Sequence, residues 1–274
     1  MRKTLLTLCF AVVILPAPAW ARRENPLEGQ PAVRHRVELR KGRFEIGPSV
    51  NMSLNRYVRN QFLVGARLEY HINDWFSLGA DLGYGIGADS ALTGELEKQY
   101  PAGTINNARG QSTTWDQLHN RMSDIQFGGD IRAIFTPIAG KLGLFSKLFV
   151  AYDTYIFAGF GIALLKNVGS DLGEFSGDDI KAATSGFRPG ASIGVGFHLF
   201  FNRFVAIGVE MKDMMFMDNE FGGDMTRGQT DAERDVATPT ASYLINGDDQ
   251  KFGQHFFVGL NLTFYLPAST DISR

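Results

Sequence analysis

The chain has 274 residues, and its 27 basic and 29 acidic side chains exclude the strongly basic surface of a nucleic-acid-binding protein. Its one cysteine, Cys9, lies within a leader that we expect to be removed. A mature chain without cysteine excludes disulfides, thiolate catalysis and cysteine-ligated metal sites. Beyond residue 21, no uninterrupted apolar run reaches the length of a membrane-spanning helix.

Residues 1–21 have the pattern of a secretory signal peptide. Arg2 and Lys3 supply the charged start, an apolar core follows, and Ala19-Trp20-Ala21 is a small-x-small cleavage site. The apolar core is too short to be a bilayer-spanning anchor. Because cleavage removes two basic residues, we expect the formal net charge to change from −2 to −4 in the mature chain.

Residues 22–42 are polar and are interrupted by proline and glycine, which predicts a flexible periplasmic tail. Basic residues accumulate towards its end: Arg34, Arg36, Arg40 and Lys41. A basic arm that binds lipid headgroups is the alternative interpretation.

The segment 43–54 alternates apolar and polar residues. One face carries Phe44, Ile46, Pro48, Val50, Met52 and Leu54, and the other face is polar. Since successive side chains of a strand point to opposite faces, this pattern predicts a strand with one apolar and one polar face. Seven further segments repeat the pattern: 61–72, 75–86, 124–135, 148–165, 188–199, 203–212 and 255–266.

The gaps between these segments alternate in length. The short ones are Asn73-Asp74, roughly 136–147, and Phe201-Asn202, and the long ones are roughly 87–123, 166–187 and 213–254. Short turns on one side and long loops on the other are typical of outer-membrane barrels. A soluble β-sandwich also alternates, but here the polar face is rich in glycine and charge, which suits a narrow lumen. The fold class predicted for 43–266 is therefore all-β, a transmembrane antiparallel up-and-down β-barrel of eight strands, with 267–274 as a short tail.

Ten charged residues fall on the predicted inward face: Glu45, Arg67, Glu69, Asp81, Asp130, Arg132, Asp153, Arg188, Glu210 and Lys212. Charges that face lipid are costly, so the lumen is where such residues belong. We interpret them as a structural network of ion pairs, because an eight-stranded barrel is only wide enough for its own side chains. An ion path through the lumen is the alternative.

No catalytic, cofactor-binding or metal site is predicted. His71 and His198 lie near the periplasmic rim without metal-ligand spacing, and Asp178-Asp179 and Asp248-Asp249 lack the pattern of a calcium loop. Those acidic pairs are expected to be solvated, with divalent bridging to lipopolysaccharide as the alternative. Ser123 and His255 lie near the outer rim, and a lipid-modifying enzyme would require them within hydrogen-bond reach of each other.

The long loops are acidic. Between residues 213 and 253, nine acidic residues oppose three basic ones, which favours a role in recognition rather than packing. The expected partners are outer-membrane lipids or lipopolysaccharide, and an envelope protein that contacts loops 87–123 and 213–254.

Three short stretches carry a resemblance to a known family: Arg43-Phe44-Glu45, Tyr70-His71-Ile72-Asn73-Asp74-Trp75 and Gly140-Lys141-Leu142. In these stretches and in its strand pattern over 43–266, the chain resembles the small outer-membrane β-barrel family of myxobacteria-like Gram-negative bacteria. It resembles the OmpA- and OmpX-type barrels more distantly. The resemblance implies a barrel in the outer membrane and brings no catalytic residues. The chain departs from such barrels by continuing beyond Phe264-Tyr265-Leu266 instead of ending on an aromatic residue.

The function expected from the sequence is that of a non-enzymatic outer-membrane barrel. It would act in envelope structure or as a docking protein through its acidic extracellular loops. A small-solute pore and a lipid-modifying enzyme are the alternatives.

Overall fold

A computed structural model of the chain describes residues 40–56, 59–99, 105–106, 112–113, 119–144, 148–171, 183–223 and 247–267. The predicted signal peptide, residues 22–39 and residues 268–274 lie outside these ranges. By its internal contacts the chain divides into Met1–Arg34 and His35–Arg274, and all described residues belong to the second unit.

Ten strands and one α-helix form the described fold. The strands are β1 (Phe44–Ser53), β2 (Arg59–His71), β3 (Phe76–Asp89), β4 (Ile105–Asn106), β5 (Ser112–Thr113), β6 (Ser123–Leu144), β7 (Leu148–Asn167), β8 (Gly186–Phe200), β9 (Val205–Asp218) and β10 (Lys251–Leu266). The helix α1 spans Ala91–Gln99 and lies between β3 and β4.

Eight of these strands close into a barrel. Neighbours in the chain pair antiparallel, with β3 pairing with β6, and the barrel closes where β1 pairs with β10 from Phe44↔Leu266 to Ser53↔Phe257. The short strands β4 and β5 form a separate hairpin within the connection between β3 and β6. The predicted eight-stranded antiparallel barrel is confirmed.

The barrel wall is apolar outside and polar inside. Along β1, exposed and buried residues alternate without interruption, and the exposed set is the predicted apolar face. Leu260 and Ile131 are 61% and 64% exposed, while Glu45 on the inner face is 0% exposed. Among the described residues, no helix has the length and apolarity of a membrane span.

The predicted turn at 136–147 is wrong, because β6 and β7 continue through most of it. Ile138↔Thr154 to Leu144↔Leu148 remain paired, and only residues 145–147 between the two strands lie outside the described ranges. The pairing is irregular between Phe135 and Ile138, around Pro137, which cannot donate a ladder hydrogen bond. This irregularity breaks the alternation that the sequence prediction relied on.

The predicted end of the seventh strand at residue 212 is also too early. β9 continues to Asp218, and within the extension Met214 and Phe216 point inward. They pack with Leu63, Ile125, Ala163, Leu165 and Phe257 in an apolar cluster inside the barrel. Because apolar residues lie on both faces of this stretch, the sequence there shows no alternation.

Candidate functional site

The lumen contains most of the charged residues that the sequence placed there. Nine of the ten predicted inward charges are at most 3% exposed, the exception being Arg188. Arg188 is half-buried towards the end of the barrel that carries the long loops, and its Nη2 donates to the carbonyl oxygen of Ser185 at 2.8 Å. The lumen charges form two groups, and a third group of ion pairs lies at the rim.

A lumen-centre cluster is built around Glu210 on β9. Arg67 on β2 forms an ion pair with Glu210, and Arg132 Nη1 on β6 lies 2.8 Å from Glu210 Oε2. The hydroxyl of Tyr155 on β7 donates to the same carboxylate at 2.8 Å and accepts from Arg67 Nη1 at 2.9 Å. Since β9 is separated from both β2 and β6 by two intervening strands, these contacts cross the lumen.

Three further charges complete the lumen-centre cluster. Arg132 Nη2 lies 3.3 Å from Asp81 Oδ2 and also binds Asp130, while Lys212 Nζ lies 3.7 Å and 3.5 Å from these two carboxylates. Arg132 additionally covers the ring of Phe157, 4.0 Å from its centroid. The cluster thus joins side chains from both sides of the barrel and occupies its cross-section, as expected of an eight-stranded barrel.

A turn-side cluster lies nearer the short turns. Glu45 on β1 faces Glu69 on β2 in register, and Glu45 Oε2 lies 3.1 Å from His71 Nε2. On the opposite wall, His198 Nδ1 lies 3.1 Å from Asp153 Oδ1. All five side chains are at most 3% exposed.

The segment before β1 closes this end of the barrel. Arg40 Nη1 lies 2.8 Å from Asp153 Oδ2, and the backbone N–H of Arg40 donates to Asp74 Oδ1 at 2.7 Å. Arg43 donates to the carbonyl oxygens of Arg203, Tyr265 and Pro267 at 3.0 to 3.2 Å. The prediction of a flexible tail is therefore wrong for residues 40–42, which are held by the barrel; residues 22–39 lie outside the described residues.

A rim cluster ties the bases of the long loops together. Arg56, between β1 and β2, binds Asp218 at 2.7 Å and the carbonyl oxygen of Ser123 at 3.0 Å. Arg59 pairs with Asp124 at 2.7 Å and also with Asp89. The rim cluster therefore connects the ends of β2, β3, β6 and β9 with the short connection after β1.

Ser123 and His255 do come near each other at this rim, through Asp218. Ser123 Oγ donates to Asp218 Oδ1 at 2.9 Å, and His255 Nε2 lies 3.9 Å from Asp218 Oδ2. A nucleophilic dyad requires the serine proton to be directed to the histidine, whereas here it is directed to the carboxylate. Ser123 is also fully buried, and His255 stacks on Phe216 with a centroid distance of 4.0 Å.

One carboxylate lies on the outer face of the barrel. Asp213 was predicted to begin a loop, but it occupies an outward position of β9, opposite Ile193 on β8 and Phe256 on β10. Its Oδ1 accepts no hydrogen bond. Ile193, Met211 and Phe256 line a small recess of the outer wall with it.

Sequence reasoning missed Arg40, Tyr155, His71 and His198 as members of the lumen clusters. The last three lie at inward positions of predicted strands, so the same alternation that identified the charges identifies them too. Arg40 precedes the first strand, and nothing in its local sequence directs it into the barrel.

No family model and no curated protein matches this sequence. Among solved structures, the chain is similar to the outer membrane protein OprG from Pseudomonas aeruginosa, at 10% sequence identity and a TM-score of 0.41. The alignment covers 83% of this chain and 97% of that one. At this level of similarity the likeness assigns no function.

The geometry of the chain itself places it in a membrane. A closed barrel pairs the backbone groups of its strands, and this one has an apolar exterior and a charged interior, which is the arrangement that a bilayer accommodates for strands. The protein is an eight-stranded β-barrel of the outer membrane.

Proposed function

We propose that this protein is a non-enzymatic outer-membrane barrel with a closed lumen, which acts in envelope structure and docks a partner through its long loops. The observation that carries this proposal is the convergence of Arg67, Arg132 and Tyr155 on Glu210. These four side chains come from β2, β6, β7 and β9, and they fill the middle of the barrel.

The buried ion pairs support a structural role for the lumen. A buried charge is costly unless it is paired, and each charge of the lumen-centre cluster lies within 3.7 Å of an opposite charge. A conducting pore requires a hydrated path, and a layer of paired, buried charges across the lumen opposes such a path. The lumen charges are thus better suited to stabilising the barrel than to conducting ions.

The loops are the parts of the chain that remain for recognition. Residues 219–250, between β9 and β10, contain seven acidic and two basic residues, an excess of five negative charges, and the rim cluster fixes the bases of the connections before β6 and after β9. The acidic surface would match a basic segment of an envelope protein, or lipopolysaccharide through divalent cations. The resemblance to the myxobacterial-type barrel family stays a prediction.

The experiment that tests docking is in-membrane cross-linking followed by affinity purification of the tagged chain. The test variant lacks residues 224–246, which leaves the turn after β9 and the short helix Gly247–Asp249 intact. A matched control lacks residues 172–182, between β7 and β8. We expect a discrete partner that is lost in the first variant and kept in the second.

Recovery of the same lipids and self-contacts from all three chains would contradict a docking role. The non-enzymatic part of the proposal is tested by comparing the lipid A of a strain that lacks the protein with the lipid A of the wild-type strain. Unchanged lipid A is the expected result, because Ser123 directs its proton to Asp218 and is fully buried.

A further inference from the structure

The lumen clusters do not balance in charge. Their salt bridges join six carboxylates with four arginine and lysine side chains, which leaves two carboxylates in excess. The carboxylates are Glu45, Glu69, Asp81, Asp130, Asp153 and Glu210, and the cations are Arg40, Arg67, Arg132 and Lys212. Among the residues that the structure describes, His71 and His198 are the other members of this set of ion pairs.

The excess lies in the turn-side cluster. Lys212 and Arg132 lie in the lumen-centre cluster, and Arg40 pairs with Asp153. Arg67 is shared, since it binds Glu210 directly but lies 3.7 Å from Glu69. The two carboxylates left with the least compensation are therefore Glu45 and Glu69.

Glu45, Glu69 and His71 have the geometry of a ligand set. One ligand atom from each residue lies within 4.8 Å of the others, and all three side chains are buried. Glu69 and His71 are two residues apart on β2, so they share the inward face, and Glu45 faces Glu69 from β1. Three ligands are thus placed by two hydrogen-bonded strands, which is a rigid support.

Several atoms here lack a hydrogen bond although they are fully buried. They are Glu45 Oε1, Glu69 Oε1 and His198 Nε2. Buried polar atoms are normally satisfied, and each exception requires a physical explanation. His198 Nε2 lies 3.6 Å from Glu45 Oε1, while its other ring nitrogen is held by Asp153.

Two of these spacings are close to those between the ligand atoms of a coordination sphere. Two ligand atoms bound to one tetrahedral zinc ion at its usual bond lengths are about 3.3 Å apart. The corresponding distances are 3.1 Å from Glu45 Oε2 to His71 Nε2 and 3.6 Å from Glu45 Oε1 to His198 Nε2. The pairing of His198 with Asp153 also has the form of the carboxylate–histidine contact that commonly orients a metal-bound imidazole.

We propose that Glu45, Glu69 and His71 bind a divalent transition-metal ion, with His198 beside the site, 3.6 Å from Glu45 Oε1. A mixed imidazole and carboxylate set favours Zn²⁺ and similar ions over Ca²⁺ or Mg²⁺, which take oxygen ligands. Two positive charges would neutralise the excess of the lumen clusters and satisfy the buried oxygens. The ion would fasten β1 to β2 next to the segment that closes the barrel. This site is independent of the proposed docking role.

The test measures zinc binding by the full chain purified from outer membranes in detergent. The protein is stripped with a chelator, unfolded in urea and refolded with or without one equivalent of Zn²⁺, because a buried site exchanges slowly once folded. We expect one tightly held zinc per chain, a higher unfolding temperature with zinc, and imidazole nitrogen and oxygen ligands in zinc X-ray absorption spectra.

Variants then locate the ion. Glu69→Gln replaces the carboxylate with a neutral amide of the same shape, and His71→Gln removes the imidazole, so we expect zinc affinity to fall at least tenfold in both. His255→Gln is the matched control, since it removes a buried histidine of the rim cluster and should leave zinc binding unchanged. No stoichiometric zinc in the refolded wild-type chain, a spectrum without imidazole ligands, or equal affinity in all folded variants would overturn the proposal.

Discussion

Arg40 and Asp153 form an ion pair inside the barrel, with 2.8 Å between Nη1 and Oδ2, although 113 positions separate them in the chain. Both side chains are almost fully buried, at 5% and 1% exposure. This contact attaches the segment before β1 to the inner face of β7, on the far side of the lumen. The chain that leads into the barrel is thereby part of its closed end.

Replacing Arg40 with alanine should destabilise the barrel markedly. The change leaves Asp153 as a buried carboxylate without its cation, and breaking such a pair typically costs about 3–5 kcal/mol. The free energy of unfolding in urea, followed by the loss of the folded band in unheated electrophoresis, measures the effect. Lys41→Ala is the control, because the Lys41 side chain is exposed. Equal stability of the two variants would show that the ion pair is unimportant.

The inward glycines should be intolerant of a methyl group. A Cβ on Gly159 would lie 2.1 Å from the carbonyl oxygen of Ile131 and 2.7 Å from Cα of Arg132, both of which are backbone atoms of β6. Gly159→Ala should therefore displace the strand that carries Arg132 and reduce the yield of folded barrel. In contrast, Gly94→Ala in α1 meets no atom within 4 Å and should fold as well as the wild type. Folded fractions after expression compare the two directly.

The outward carboxylate of Asp213 should lower the stability of the folded barrel. It faces the bilayer side between Ile193 and Phe256, and one of its oxygens accepts no hydrogen bond. An acidic residue on the lipid face is unfavourable by less than a basic one, so Asp213→Leu should stabilise the barrel by about 1 kcal/mol. Unfolding in urea in lipid vesicles measures this. A variant less stable than wild type would contradict this and indicate that the hydrogen bond from the His255 backbone to Asp213 outweighs the cost of the carboxylate.

The folded barrel should become more stable as the pH falls, because a partly buried carboxyl, that of Glu220, lies at its rim. Burial raises the pKa of Glu220 above its ordinary value, against the opposing effect of Arg56. A carboxyl whose pKa is higher in the folded than in the unfolded protein stabilises the fold when it is protonated. This stabilisation is complete below the pKa of the unfolded state, and it is lost as the pH rises through the pKa of the folded state. Glu220→Gln should hence be more stable than wild type at pH 7, with the difference vanishing towards pH 4. A difference independent of pH would contradict this.

Much of the fold could be predicted because the two faces of each strand meet different surroundings. The first strand was predicted at 43–54 and spans Phe44–Ser53, since lipid outside and charge inside keep the period of two visible. Where the surroundings change, the period disappears. Pro137 interrupts β6, and Met214 and Phe216 enter an apolar cluster within the barrel, so both strand ends were predicted too early.

The site was harder to predict than the fold. Alternation places Arg67 and Glu210 on the inner face, but it does not indicate that they meet. Their contact depends on the tilt and stagger of strands on opposite sides of the barrel, which no local sequence records. The same holds for Glu45 and His198, which lie on β1 and β8. Arg40 was assigned to a mobile tail because residues before the first strand carry no periodic signal.

The measurement that tests the closed lumen most directly is single-channel recording of the purified protein in planar bilayers. The lumen-centre cluster predicts no discrete current steps above the bare bilayer, across a range of voltages and salt concentrations. Stable steps whose size scales with salt concentration would contradict the account, because they require a hydrated path past Glu210 and its partners.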